Sequence, residues 1–209
     1  MNLQIAAQLL AYSGALLSVA MVLPQLTRTI RHPALPGVSP SSWALTTLAC
    51  IAWLIYGLRA DVLPQIPGNV LLIIGAVAVV LLVPSAWSRS RRVTYLGSAS
   101  AAIIVVSLAI PPMAVGYLAF AISMISIWPQ LVDSFGNWRM GIVSGVSLPT
   151  WWVKLAATAC WLAYSIIATD IPVLIASILG GACNIAVFAM EGSARQTAGR
   201  RVALAFAQA

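Results

Sequence analysis

The sequence predicts an all-α membrane protein in which seven transmembrane helices form two parallel three-helix bundles joined by a linker helix. Composition is the first observation: of 209 residues, 61% are hydrophobic and only 7% are charged, whereas a soluble domain carries about a quarter charged residues. A series of long apolar runs is the second observation, and an internal repeat is the third. A surface with so little charge is expected to be solvated by lipid.

Seven apolar stretches are close to the roughly 20 residues that a helix needs to cross a hydrocarbon core about 30 Å thick. We place them at 4–31, 41–59, 62–84, 93–110, 113–133, 147–168 and 171–190. Turn-forming sequences separate them, among them HPALPG at 32–37, SRSRR at 88–92, Pro111-Pro112 and the glycine-containing stretch from Gly136 to Gly145.

Positive charge collects at one set of alternate helix ends, and only Arg59 lies at the opposite set. The residues of the richer set are Arg28, Arg31, Arg89, Arg91, Arg92, Arg139, Lys154, Arg195, Arg200 and Arg201. Because loops rich in Lys and Arg stay in the cytosol, we expect the N-terminus outside and the C-terminus inside, in the plasma (inner) membrane. The net charge of +7 therefore indicates topology and not nucleic-acid binding. No Lys or Arg precedes the first apolar stretch, which argues against a cleaved signal peptide.

The chain also repeats itself. LPQLTRT at 23–29 matches WPQLVDS at 128–134 at an offset of 105, and CIAWLIYG at 50–57 matches TACWLAYS at 158–165 at an offset of 108. Spans 1–3 therefore recur as spans 5–7. Both repeats start on the same side of the membrane, so they are parallel and related by a pseudo-two-fold axis along the membrane normal. This predicts a first repeat (1–85), a linker helix (86–111), a second repeat (112–190) and a basic cytosolic tail (191–209).

Two Pro-Gln pairs carry a resemblance to a known family. Pro24-Gln25 and Pro129-Gln130 are each followed by a loop, a helix ending in WLxY and a proline that opens the next helix. This pattern resembles the PQ-loop superfamily, and the 3+1+3 layout resembles the SWEET sugar facilitators over roughly residues 5–190. WLIYGLRADVLPQIPGN at 53–69 is similar to the half-size bacterial SemiSWEETs. Relatives move sugars, amino acids or vitamins, or act as receptors, so the resemblance leaves the solute open.

A solute pocket is predicted near the membrane midplane. Trp53 and Asn69 stand eight residues before and after the tip of the first hairpin, about 12 Å below its end, and Trp161 and Ser177 do the same in the second. The resemblance implies that Trp53 and Asn69 line a sugar pocket, although a tryptophan can also simply pack between helices. Asn184, two turns deeper than Ser177, could line the path or bridge helices.

The Pro-Gln pairs are expected to act as hinges. Pro24 and Pro129 each remove one backbone hydrogen bond and free the carbonyl four residues earlier, and Gln25 and Gln130 follow them directly. The kinks could also be static. The resemblance favours hinges that open the inner side.

Two gates are predicted. Tyr56, Arg59, Asp61, Tyr164 and Asp170 cluster at the outer ends of the two hairpins, where similar half-size proteins close an outer gate; solvated loop charges are the alternative.

At the inner end, Arg28 and Asp133 occupy equivalent positions with opposite charges, and Lys154 lies two turns below Trp161. These three residues are predicted to form an inner latch. Alternatively, Arg28 reaches lipid phosphates and Asp133 faces water.

The leading functional hypothesis is a uniporter that lets a small polar solute, expected to be a mono- or disaccharide, cross by alternating access. A proton-coupled amino-acid exporter of the cystinosin type, a vitamin carrier, and a receptor like the KDEL receptor are alternatives. Acidic residues lie only near span ends, which favours uniport because coupling needs a titratable group in the path. One histidine and three scattered cysteines predict no metal site. We expect no cofactor, no enzymatic activity and no nucleic-acid partner; lipid and a second copy of the chain are possible partners.

Overall fold

The computed structural model describes residues 2–31, 40–83, 86–143 and 148–207, without the side chains at positions 24, 25, 28, 29, 40 and from 200 onward. Within these ranges the chain is helical: α1 (Leu3–Ala20), α2 (Val22–Arg31), α3 (Pro40–Arg59), α4 (Gln65–Leu82), α5 (Arg89–Ala109), α6 (Pro112–Met140), α7 (Leu148–Ala168) and α8 (Ile171–Ala207). Seven of these helices are long and apolar enough to cross a membrane. The predicted all-α membrane fold is confirmed.

Three helix boundaries differ from the prediction. The first span is interrupted at Met21, which separates α1 from α2. Helix α6 passes Gly136 and ends at Gly141, whose left-handed φ of 67° lets its N–H bond back to the last turn. Helix α8 continues past residue 190 to Ala207, because neither a proline nor a left-handed glycine interrupts it in the described range.

The two hairpins have the same turn. Asp61 and Thr169, which differ by 108 positions, have φ angles of 56° and 57°. The next residue in each turn closes it with a backbone bond, from Val62 N to Gly57 O at 2.9 Å and from Asp170 N to Ser165 O at 3.0 Å. A left-handed non-glycine residue is uncommon, so the repeat extends to the conformation of the backbone.

Packing divides the helices into two bundles. In the first bundle α4 lies between α1–α2 and α3, and in the second α8 lies between α6 and α7. The bundles meet along two contacts, α1 against α7 and α3 against α6. Linker helix α5 packs mainly on α3, and its other face exposes large apolar side chains such as Val105 and Leu108. In a membrane such a face is expected to contact lipid.

The two ends of the molecule are named after the charge-based topology. The outer end is the one that carries the two hairpin turns, and the inner end lies opposite.

Candidate solute-binding site

The two predicted tryptophans join the bundles by equivalent hydrogen bonds. Trp53 on α3 donates from Nε1 to Ser123 Oγ on α6 at 3.1 Å. Trp161 on α7 donates from Nε1 to Ser18 Oγ on α1 at 3.4 Å. The serines differ by 105 positions and the tryptophans by 108, so one contact is made twice around the pseudo-two-fold axis. Both indoles are half-buried and pack against the same apolar core cluster.

The serines are held in place by their own helices. Ser18 Oγ donates to Gly14 O at 2.7 Å, and Ser123 Oγ donates to Ala119 O at 2.8 Å. Because a hydroxyl has one proton and two lone pairs, each serine can then accept from an indole N–H. Ser18 and Ser123 were absent from the predicted site. The offset of 105 between the two serines was visible in the sequence, but the sequence did not show that a tryptophan faces each of them.

Gly14 makes room for one of the indoles. A Cβ atom at this position would lie 3.0 Å from Trp161 Nε1 and 3.1 Å from Trp161 Cδ1. We expect Gly14→Leu to displace Trp161 and to reduce transport by roughly 10-fold or more, since overpacking at a tight contact costs about 1–3 kcal/mol. Initial uptake rates in proteoliposomes would measure it. Gly97→Leu is the matched control, because a Cβ at Gly97 meets nothing within 4 Å. Equal rates for both variants would contradict the contact.

The third helices place unequal polar groups at equivalent buried positions. Asn69 on α4 and Ser177 on α8 differ by 108 positions and are 9% and 7% exposed. The Asn69 amide nitrogen donates to Gln65 O at 2.8 Å. Its Oδ1 accordingly remains as the acceptor of that side chain. The two tryptophans are therefore related by the repeat, but the Asn69 amide has only the Ser177 hydroxyl as its counterpart.

Asn184 bridges two helices. Its amide nitrogen lies 3.4 Å from Thr158 Oγ1 on α7, and Thr158 in turn donates to Lys154 O at 2.9 Å. Its Oδ1 is buried with no hydrogen-bond partner in the part of the chain that the structure describes. Of the two predicted roles the structure shows the bridge; a role in lining the path stays a prediction.

One carboxylate joins the outer ends of the bundles. Tyr56 on α3 donates to Asp170 Oδ1 at 2.7 Å, and the hydroxyl of Tyr164 lies 3.4 Å from Asp170 Oδ2. The backbone N–H of Val173 also donates to Oδ1, at 3.2 Å. Burial raises the pKa of the Asp170 carboxyl above its usual range, and the hydrogen bonds from Tyr56, Val173 and Tyr164 offset part of that rise. Tyr56 and Tyr164 are equivalent positions, whereas Val62 stands at the equivalent of Asp170.

The structure does not bring Arg59 and Asp61 into this cluster. Arg59 Nη1 donates to Ser107 O at 2.6 Å and to Ile110 O at 2.5 Å. It therefore caps the last carbonyls of the linker helix α5, which a cation stabilises at a helix C-terminus. Asp61 is exposed in the left-handed turn. At the offset of 108, Asp61 corresponds to Thr169, one residue before Asp170, which explains why its carboxylate does not reach the tyrosines.

The helices that carry the two Pro-Gln pairs differ in continuity. The side chains of Pro24 and Gln25 lie outside the described residues. A one-residue turn at Met21 separates α1 from α2, but Met21 keeps right-handed helical angles and its N–H still donates to Leu17 O at 3.1 Å. Pro129 lies inside the unbroken α6.

The residues after Pro129 form a hydrogen-bond chain. Gln130 Nε2 donates to Ser134 Oγ at 3.0 Å, and Ser134 Oγ donates to Glu191 Oε1 on α8 at 2.7 Å. Glu191 is only 1% exposed. Its burial was not foreseen, because the sequence places it merely near a span end.

The structure shows no contact between the residues of the predicted inner latch whose side chains are described, Asp133 and Lys154. The side chain of Arg28 lies outside the described residues, and Asp133 is exposed. The Lys154 ammonium lies 4.4 Å from the centroid of the Trp151 ring. A cation over an indole face is a favourable arrangement, and it replaces the predicted contact of Lys154 with Asp133 in this conformation.

Over the described ranges, no three His, Cys, Asp or Glu residues lie together as a candidate metal site. Cys50, Cys160 and Cys183 are free thiols.

Comparison with known proteins identifies the fold. No family model matches the chain, and no curated protein matches it. A solved structure of a eukaryotic SWEET transporter matches with a TM-score of 0.80, covering 94% of this chain and 100% of that one at 17% sequence identity. That level of identity carries the fold alone, and the seven spanning helices agree with it. The chain is therefore an all-α membrane protein that has the fold of a SWEET transporter.

Proposed function

We propose that this protein moves a small polar solute, expected to be a mono- or disaccharide, across the membrane by facilitated diffusion. The observation that carries the proposal is the pair of Trp–Ser contacts, Trp53 with Ser123 and Trp161 with Ser18, repeated at the interface between the bundles. An indole face accepts the C–H face of a sugar ring, and the Asn69 amide oxygen can accept hydrogen bonds from sugar hydroxyls. The fold shared with a SWEET transporter supports the same function.

Alternating access would use the two ends of this interface in turn. Asp170 holds Tyr56 and Tyr164 together at the outer end, so this cluster serves as the outer gate. The inner end would open at the Pro-Gln hinges, and Arg28, Asp133 and Lys154 would latch it when it closes.

We further propose that transport is uniport. Asp61 and Asp133 are exposed, and Asp170 lies in the turn between α7 and α8. Glu191 stands twenty residues after Ile171, about 30 Å along the helix, which places it at the inner edge of the hydrocarbon. Asp61, Asp133 and Glu191 thus lie toward the ends of the helices.

Asp170 is closer to the tryptophans, because it bonds Tyr56 and Tyr164, whose ring centroids lie 5.6 Å from Trp53 and 5.7 Å from Trp161. We assign Asp170 to the outer gate and not to proton coupling.

Uptake into proteoliposomes tests this function. With a panel of labelled sugars and amino acids, we expect a sugar to equilibrate down its own gradient, with the same final level when a pH gradient is imposed. Empty liposomes are the control. Accumulation against the solute gradient, driven by the pH gradient, would contradict uniport. Uptake of amino acids alone would contradict a sugar as the solute.

A proton-coupled amino-acid exporter is the second candidate, and the burial of Glu191 favours it. A carboxyl buried to 1% exposure in a spanning helix is expensive and is usually retained for function. The pH-gradient arm of the uptake experiment separates the two candidates directly.

The placement in the membrane is also a proposal. The charge pattern supports an outside N-terminus, a cytosolic C-terminus and residence in the plasma (inner) membrane. The exposed apolar face of α5 would contact lipid or a second copy of the chain.

A further inference from the structure

We infer that the inner end of linker helix α5 binds the headgroup of an anionic phospholipid, whose acyl chain lies along the exposed apolar face of the same helix. The binding residues form an arginine–aromatic patch, which consists of Trp87, Arg89, Arg91 and Tyr95. The inference goes beyond the proposed transport function, because it concerns a lipid and not the solute. It assumes only that α5 spans the membrane.

The patch is built around a stacked guanidinium. The Cζ atom of Arg91 lies 4.6 Å from the centroid of the Trp87 ring and 5.5 Å from that of the Tyr95 ring, and the two rings lie 5.2 Å apart. The Arg91 side chain is exposed, and its guanidinium meets no hydrogen-bond acceptor among the described residues. Stacking uses the faces of the guanidinium and leaves its N–H edge available for two parallel bonds to a phosphate.

The next arginine is already used inside the protein. Arg92 Nη1 donates to Val83 O at 2.7 Å and to Val80 O, at the inner end of α4. Successive residues of a helix point roughly 100° apart, so Arg91 is turned away from α4 when Arg92 is held against it. Arg89 is exposed as well. Two of the three arginines at this end of α5 are therefore presented to the surroundings.

No carboxylate on the neighbouring elements neutralises Arg89 and Arg91. Helix α5 packs on α3 and α4, and neither these two helices, α5 itself nor the segment 83–88 contains Asp or Glu. The counter-charge therefore comes from the surroundings. An anionic headgroup complements it, and anionic lipids are concentrated in the cytosolic leaflet, which is the side that the charge pattern assigns to this end.

The remainder of α5 fits the acyl chain of such a lipid. Of the seven spans that the structure describes, α5 is the least buried, and beyond the patch it exposes Val105, Val106 and Leu108. Tryptophan and tyrosine are typical of the headgroup level of a bilayer, so the two rings place the guanidinium between them at the depth of the lipid phosphates. A second copy of the chain fits this face less well, because a two-fold contact through it would bring the arginines of both copies together.

Lipid binding to the full chain tests the patch. Detergent-solubilised protein is titrated with phosphatidylglycerol or with phosphatidylcholine of the same acyl chains, and bound lipids are counted by native mass spectrometry. We expect the wild type to retain one phosphatidylglycerol at least about 5-fold more tightly than phosphatidylcholine. Arg89→Ala and Arg91→Ala should each weaken the binding of phosphatidylglycerol about 5-fold, as expected for one arginine near an anionic lipid, and leave that of phosphatidylcholine unchanged.

Arg139→Ala is the matched control. Arg139 is also an exposed arginine at the inner end, but its guanidinium lies 5.8 Å from a single ring, that of Phe135 on α6. Its substitution removes the same charge without touching the patch, so the affinity for phosphatidylglycerol should stay at the wild-type value. Equal weakening by Arg91→Ala and Arg139→Ala would show a general attraction between charges and would overturn the inference. Size-exclusion chromatography checks that each variant is folded.

Quenching of tryptophan fluorescence locates the lipid. In nanodiscs, phosphatidylglycerol with brominated acyl chains should quench the wild type more than brominated phosphatidylcholine does. Because the chain has eight tryptophans, the contribution of Trp87 is obtained by comparison with Trp87→Phe, in which the difference between the two lipids should disappear.

Two further results would count against the lipid. One is equal quenching of the wild type by the two brominated lipids. The other is displacement of phosphatidylglycerol by glycerol phosphate, which has no acyl chain, at a comparable concentration; the site would then take a free phosphate. None of these measurements uses the transported solute, so a failure of sugar uptake would bear on the proposed function alone.

Discussion

Trp53→Ala and Trp161→Ala are each expected to reduce the initial rate of sugar uptake at least about 100-fold, which corresponds to about 2.7 kcal/mol. Each substitution removes an aromatic stacking surface and a hydrogen bond that joins the two bundles, and losses of that size are typical of such groups. Proteoliposome uptake gives the rate, and size-exclusion chromatography in detergent checks that the fold is intact. Normal uptake by folded Trp53→Ala protein would remove Trp53 from the site.

Matched variants separate the two roles of the indole. Trp53→Phe keeps an aromatic face but cannot donate to Ser123, and Ser123→Ala removes the acceptor. If the bond between them matters, the double variant should lose no more than either single one, since contacting residues are not additive. If the losses in uptake rate are purely additive, the hydrogen bond between Trp53 and Ser123 does not contribute to transport, and only stacking on the ring does.

Substitutions of the two polar residues of the pocket are expected to reduce the uptake rate to different extents. Asn69→Ala should be about as severe as Trp53→Ala, because it removes the whole amide. Ser177→Ala should be milder, because only a hydroxyl is lost. Equal effects at the two positions would mean that the pocket is more symmetric than the buried Asn69 and Ser177 indicate.

Asp170→Val is expected to open the outer gate. It removes the acceptor shared by the Tyr56 and Tyr164 hydroxyls and the cap on the Val173 N–H, and leaving buried donors without partners costs about 1–3 kcal/mol each. The readout is the reaction of Ala11→Cys with a membrane-impermeant thiol reagent added from outside, in a background in which Cys50, Cys160 and Cys183 are replaced by alanine. Ala11 is 0% exposed and lies in the core cluster with Tyr56 and Tyr164, so its labelling rate should rise roughly 10-fold or more.

Two controls define the gate experiment. Asp61→Val removes an exposed carboxylate from the equivalent hairpin turn and should leave the labelling of Ala11→Cys unchanged. Asp170→Asn keeps an oxygen acceptor for Tyr56 and should fall between the wild type and Asp170→Val. An unchanged labelling rate in Asp170→Val would show that the tyrosine–aspartate cluster does not hold the outer side closed.

Helix ends and proline effects were only partly predictable. The glycine-containing stretch after α6 was recognised, but the helix stops at Gly141 and not at Gly136, because only the left-handed backbone at a helix end selects its glycine. The first span was expected to be one helix and is two. Identical Pro-Gln pairs cannot indicate which helix will break, since neighbouring helices can supply the bonds that a proline removes.

By itself the sequence determined that the protein lies in lipid, that it has seven spans and that its two repeats are parallel. These properties depend on the apolar content of single stretches and on a constant offset, both of which are local or additive. The equivalent turns at Asp61 and Thr169 follow from the same repeat. The identities of Trp53, Trp161, Tyr56 and Asp170 as candidate site residues also followed from register and resemblance.

Only the tertiary structure decided which side chains meet. Trp53 finds Ser123 across 70 positions, Trp161 finds Ser18 across 143, and Glu191 accepts from Ser134 across 57. Arg59 turned to the end of α5 and away from the outer gate. A periodic pattern states which face of a helix is apolar, but the partner of that face is set by how helices pack, and two copies with the same pattern can pack with different polar contacts.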